Sequence, residues 1–215
     1  MSYRADELKS RSTSPLVLTV PGLDGSGPTH WQTLWEERDG RARRVEMGDW
    51  ATPNRNVWVN RLNLAIHRAT NISRRPVILV AHSLGCLTVA WWAHYEQPAY
   101  GDPVIGALLV APPDVDGPLR ESRLQAFAPT PLGPLPFPSM VVASRDDPWG
   151  SLDHSEQLAT FWGSKFVDAG DAGHINADSG LGQWDDGRRH LSRLARAALA
   201  GPVRVPEPSP MSIVA

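Results

Sequence analysis

The pentapeptide Ala81-His82-Ser83-Leu84-Gly85 constrains this chain more than any other stretch. It follows an apolar, β-leaning run, Pro76-Val77-Ile78-Leu79-Val80, and precedes Cys86 to Tyr95, which reads as helix. Strand, sharp turn with a central Ser, helix is the layout of a nucleophile elbow. The turn lifts the Ser hydroxyl above the C-terminal edge of the strand, and the helix points its N-terminus at the same place, favouring negative charge there. Residues two before and two after the Ser must be small, because strand and helix pass close to each other. Gly85 meets that need, and Ala81 adds one methyl where a Gly is usual. The competing reading of this stretch alone is a buried strand and core helix with an incidental Ser.

The other elements are predicted from the same kind of pattern. Leu16-Val17-Leu18-Thr19-Val20 is nearly continuous in apolar residues, as a buried parallel strand would be. It runs into a turn-rich loop, Pro21 to Pro28, whose G-x-x-G-x-G spacing fits neither a dinucleotide fingerprint nor a P-loop. Thr29 and Gln32 then suggest a capping box for a helix with Trp31, Leu34 and Trp35 on its apolar face. Arg43 to Met47 is a more polar strand candidate, suited to a sheet edge. Trp58, Leu62, Ala65, Ile66 and Ala69 form one stripe of an amphipathic helix. Strands are expected at Val104–Val110, Met140–Ala143 and Lys165–Asp168, with helices over 152–162 and around Leu191 to Ala198. Eight prolines between Pro112 and Pro138 forbid a long regular element there and leave a loop with at most one short helix near 119–127.

Strands alternating with helices imply right-handed βαβ units. The expected fold is a three-layer α/β fold: about six strands, mostly parallel, with helices on both faces and no lid domain. Its active site would lie at the carboxyl ends of the strands. The 215 residues suit one such domain over 15–200, between a flexible N-terminus at 1–14 and a proline-rich tail at 201–215. With 41% hydrophobic and 20% charged residues and a net charge of −2, the chain reads as globular and not as a nucleic-acid binder. It has no apolar run of the ~18 residues a membrane span needs, and no signal-peptide core, so a cytoplasmic location is expected. The single cysteine, Cys86, reads as a small buried hydrophobe. No metal-ligand spacing is visible, so no metal or cofactor is expected.

A Ser hydroxyl is a weak nucleophile and needs a base within reach and a third group to orient that base. Ser83 is followed by Asp147 beyond one strand end and by His174 beyond the next, the chain order Ser, Asp, His. His174 would act as the base and Asp147 would hold its tautomer. Asp146 reads as a turn residue before Pro148, and Asp114, just past an earlier strand, is the rival acid. His154 and His190 are expected to face solvent, and His82 and His94 to be structural. The backbone N–H groups of Leu84 and Leu23 are the candidate oxyanion donors, with Gly22 and Gly25 allowing close approach of the backbone.

Several motifs also carry a family likeness: Pro21-Gly22 with Gly25-Ser26-Gly27, then His30-Trp31, the elbow, Ser144-x-x-Asp147-Pro148 and Gly173-His174-Ile175-Asn176. Together they resemble the small, lidless α/β hydrolases of the YdeN-like, retinoblastoma-binding-protein type over about residues 16–199. The resemblance implies that fold, Ser83, Asp147 and His174 as the triad, no cofactor, and serine-hydrolase or esterase behaviour. The short motif tied to partner binding in some animal members has no counterpart here, which leaves any protein partner unknown.

The expected activity is hydrolysis of a small carboxylic ester, or a thioester or amide, through an acyl-enzyme. The alternatives are a non-catalytic protein-binding module on a hydrolase scaffold and a cofactor-free haloperoxidase-like or lyase activity. Among nine tryptophans, Trp31, Trp50 and Trp149 fall near loop or strand ends where they could line a pocket, although packing is the commoner fate of Trp.

Overall fold

Val77–His82 is buried along its whole length, which only the centre of a sheet covered on both faces allows. Its side chains alternate: Val77, Leu79 and Ala81 enter one apolar core, while Ile78 and Val80 enter the other. This central strand is β3. The computed structural model describes residues 14–118 and 120–200. The segments 1–13 and 201–215, expected to be flexible, and Leu119 lie outside the described residues.

Five further strands complete the sheet: β1 (Leu16–Val20), β2 (Ala42–Arg44), β4 (Val104–Val110), β5 (Ser139–Ala143) and β6 (Lys165–Asp168). The spatial order is β2-β1-β3-β4-β5-β6, and every pairing is parallel. Helices α1 (Trp31–Arg38), α2 (Arg55–His67), α3 (Leu84–Glu96), α4 (Leu152–Trp162) and α5 (Asp185–Ala200) cover the faces. Trp31 and Trp35 of α1 and Leu194 of α5 pack into the core holding Ile78 and Val80, while α2, α3 and α4 close the other. Helix α3 is buried at every position from Leu84 to Ala93, as its apolar composition on all sides requires. After β1 the chain turns outward to β2, and after β3 it leaves in the opposite direction to β4. The carboxyl ends of β1 and β3 therefore flank the switch point of the sheet, where a crevice opens. Among the described residues no helix is long and apolar enough to cross a membrane, and no lid domain is present. Among its described residues the connection 112–138 holds only a 3-10 turn, Ser122–Phe127.

Two local expectations are corrected. Helix α1 is capped not by Thr29 but by His30, whose Nδ1 accepts the Gln32 N–H at 3.2 Å. The Gln32 side chain, freed from a capping box, is fully buried and bridges the Val80 carbonyl (2.9 Å) and the Ser26 hydroxyl (2.6 Å). The edge strand β2 ends at Arg44: the Val45 N–H still donates to the Thr19 carbonyl of β1 at 2.9 Å, and beyond it Val45 and Met47 bury their side chains in the core.

Gly85 shows how tightly β1 passes beneath α3. A Cβ there would lie 2.1 Å from the Val20 carbonyl oxygen and 2.8 Å from that of Pro21, both backbone atoms that cannot swing away. Gly85→Ala is therefore expected to destabilise the fold by about 3 kcal/mol, which in a chain of this size lowers the melting temperature by about 6–12 °C in a thermal melt. A melting temperature within a degree of wild type would show that β1 and α3 have more room than this.

Candidate active site

Ser83 sits between β3 and α3 with φ 53° and ψ −126°, the strained turn that projects its side chain clear of both elements. Its own N–H donates to the Val110 carbonyl, and its carbonyl accepts the Cys86 N–H. The loop after β1 runs so close that a Cβ on Gly22 would lie 2.8 Å from the Ser83 Cβ. Only Gly fits there, since the same Cβ would also lie 3.1 Å from the Leu84 nitrogen. Leu84 is the first residue of α3, so its N–H has no carbonyl one turn earlier within the helix. In the Leu23 loop, the Asp24 and Gly25 N–H groups are taken by Trp50 and Gly22. Leu23 borders the same cavity as Ser83.

His174 and Asp147 arrive from the ends of β6 and β5. His174 Nε2 lies 2.9 Å from Ser83 Oγ, and His174 Nδ1 lies 2.9 Å from both carboxylate oxygens of Asp147. The Asp147 side chain is 3% exposed, and the Trp149 N–H donates to its Oδ1 at 2.9 Å. The structure thus brings Ser83, His174 and Asp147 into one hydrogen-bonded line.

The backbone carrying His174 is held as firmly as its ring. Gly173 and Ile175, on either side of it, both have positive φ (56° and 47°). The Gly173 N–H donates to Asp146 at 2.7 Å and the Ala172 N–H to the Ser144 hydroxyl at 2.8 Å. The His82 ring donates from Nε2 to the His174 carbonyl at 2.9 Å, and the Trp31 indole donates to the Ile175 carbonyl at 2.8 Å. Asp146, read as a turn residue, also accepts from Ser144 at 2.6 Å and so ties the β5 loop to the His174 loop. Those hydrogen bonds, the Ser144 hydroxyl first, hold its carboxyl below the usual carboxylate range.

The remaining candidates lie elsewhere. Asp114 accepts the Asp116 and Gly117 N–H groups and stands 4.0 Å from His154, not against His174. His154 and His190 are half-buried instead of facing solvent, because each lies on the packed side of its helix, and burial lowers the His190 pKa. His94, expected to be structural, is exposed at the end of α3, beyond the buried stretch of that helix. Cys86 is fully buried, and its thiol pKa is pushed up by that burial. Trp31 is core, Trp149 borders the cavity, and the Trp50 ring lies beside Gly25.

The His82 ring is packed between His30 and His174, with centroids 4.8 and 4.9 Å away. Burial, foremost, pushes His30 down to about 4 and His82 well below the ordinary histidine value. Both rings are therefore neutral near pH 7, and neither places a fixed positive charge beside His174. His82 and Asp146 are the contributors that sequence reasoning undervalued. The only signals for them were adjacency to Ser83 and the tandem of acids at 146–147.

The cavity over Ser83 has a volume of about 250 Å³ and is bordered by Leu23, Arg123, Leu124, Trp149 and Asn176 among others. It is small and mixed in polarity.

The family model described as serine hydrolase matches residues 17–193. Among solved structures, the chain is similar to a YdeN-like hydrolase from Pectobacterium atrosepticum, with 32% identity over 91% of this chain and 97% of that one and a TM-score of 0.74. It is similar to the ydeN gene product of B. subtilis at 23% identity, over 84% of this chain and 98% of that one, with a TM-score of 0.66. Est1E from Butyrivibrio proteoclasticus shares the fold at 13% identity, over 86% and 90% of the two chains, with a TM-score of 0.59. No curated protein matches the chain.

Proposed function

This chain belongs to the serine hydrolase family, and we propose that it cleaves a small carboxylic ester through an acyl-enzyme on Ser83. The observation that carries this reading is the unbroken line from Ser83 Oγ through the His174 ring to the carboxylate of Asp147, each contact 2.9 Å. His174 takes the hydroxyl proton as Oγ attacks the acyl carbon. The negative charge on the former carbonyl oxygen falls between the Leu84 and Leu23 N–H groups. On collapse the bond to the alcohol oxygen breaks, and His174 returns the proton to that leaving group. A water then repeats the sequence: it loses a proton to His174, attacks the acyl carbon, and releases the acid as Ser83 Oγ recovers the proton. Asp147 stays ionised throughout and stabilises the imidazolium that forms twice per turnover. The chemistry needs no cofactor, and the substrate is a small molecule.

The cavity supports a short acyl group, because a small space can bury few methylenes at about 0.8 kcal/mol each. Across a series of p-nitrophenyl esters, kcat/KM is expected to peak at about two to six acyl carbons and to be flat or falling beyond. A rise of about tenfold or more from butyrate to dodecanoate, below the micellar limit, would mean that a long apolar channel exists.

A further inference from the structure

Beyond the Ser83 line, the side chain that spans the cavity is Arg123. It lies in the 3-10 turn of the proline-rich connection after β4 and reaches Asp24, in the loop after β1. One terminal nitrogen donates to Asp24 Oδ1 at 3.0 Å and to the Ala51 carbonyl at 2.9 Å. The other donates to Asp24 Oδ2 at 3.3 Å and to Glu121 Oε2 at 3.0 Å. Both are committed to protein acceptors, so the guanidinium has no free fork with which to receive a substrate carboxylate. Hydrogen bonds to Glu121 and then to Asp24 raise the Arg123 pKa, and the same contact lowers that of Glu121. The far part of the connection is anchored separately. The Thr130 N–H bonds both Asp116 oxygens at 3.1 Å, and the Leu135 N–H bonds the Trp162 carbonyl at 3.0 Å. The near part is held from below by the Trp91 indole, which donates to the Phe127 carbonyl at 2.8 Å, and is tied across the cavity to the loop after β1 by the contact of Arg123 with Asp24.

We propose that Arg123, clamped to Asp24, is a specificity-determining wall that sets the upper limit on the acyl length this site accepts. The inference rests on Ser83 catalysis as proposed above and deepens it. Arg123, Asp24 and Glu121 border the cavity together with Leu23, Leu124 and Trp149. A chain long enough to reach the ion pair meets charged, hydrated groups there and gains no apolar burial from them. With the Arg123 side chain truncated, the apolar borders of Leu23, Leu124 and Trp149 extend outward, and additional methylenes can be buried against them. Arg123 and Asp24 are 36% and 59% exposed, so the bridge can be cut without opening the core.

Each methylene newly buried in the transition state raises kcat/KM about fourfold. Arg123→Ala is therefore expected to raise the ratio of kcat/KM for octanoate over butyrate by about tenfold relative to wild type. Asp24→Asn keeps a residue that tolerates the φ of 60° at this position while removing the charge. It should shift the ratio in the same direction by a smaller factor, and it serves if the Arg123 variant folds poorly in a thermal melt. An unchanged ratio in folded variants that still hydrolyse butyrate overturns the proposal and leaves the Ser83 reading standing. A wild-type protein that neither labels with a fluorophosphonate nor hydrolyses any ester overturns both.

Discussion

Ser83→Ala is expected to abolish covalent labelling by a fluorophosphonate and to lower kcat by on the order of 10³-fold or more. The substitution removes one oxygen and keeps the Cβ, so the backbone near Gly22 is not disturbed. Its φ of 53° is as strained for Ala as for Ser. The only side-chain hydrogen bond lost is the one to His174 Nε2, and such a bond contributes about 1 kcal/mol of net stability. Fold and melting temperature should therefore stay close to wild type while chemistry stops. That separation distinguishes loss of a nucleophile from loss of structure. The residual rate would come from the proposed backbone donors at Leu84 and Leu23 and from His174 acting on water. An Ala variant that labels at the wild-type rate would move the nucleophile elsewhere.

How far the sequence foretold this site depends on whether a feature is local or long-range. The apolar runs of β1, β3 and β4 were readable because strands covered on both faces must be apolar throughout. The chain order of Ser83, Asp147 and His174 was readable because each follows a strand whose carboxyl end a parallel sheet brings to one edge. Contacts that cross between distant segments left no such trace. Asp24 and Arg123 are 99 positions apart, and nothing local announces their pairing. His82 was expected to be structural, but nothing local shows that its ring holds the carbonyl of His174, which is 92 positions away. The cap of α1 was misplaced for a related reason. Thr29 and Gln32 satisfy a local pattern, but the buried Val80 carbonyl and the Ser26 hydroxyl compete for the Gln32 side chain and win, because neither could be left unpaired in the core. Asp146 and Asp147 illustrate the limit of resolution. They are neighbours in one turn: Asp147, the expected orienting acid, faces the ring of His174, whereas Asp146, expected to be a turn residue, also holds the backbone of Gly173, a contact 27 positions away that nothing local announces.

That division between neighbours gives the second large effect. Asp147→Asn is expected to lower kcat by on the order of 10³- to 10⁴-fold. In the native arrangement His174 Nδ1 faces two carboxylate oxygens, both acceptors, so the ring proton sits on Nδ1 and Nε2 is bare toward Ser83. An Asn amide presents one donor and one acceptor. Its NH₂ can donate to Nδ1, which places the ring proton on Nε2, where it blocks proton abstraction from Ser83. The charge that stabilised the imidazolium is lost as well. Asp146→Asn should cost far less, because its task is to accept the Ser144 hydroxyl and the Gly173 N–H, and an amide oxygen can still accept. Asp114→Asn should also be mild, since that side chain serves the Asp116 and Gly117 turn and lies away from His174. Steady-state kinetics on the three variants with one short-chain ester, paired with thermal melts, decides among them. If Asp114→Asn cripples turnover while Asp147→Asn does not, the orienting acid sits at the end of β4 and the assignment of Asp147 is wrong.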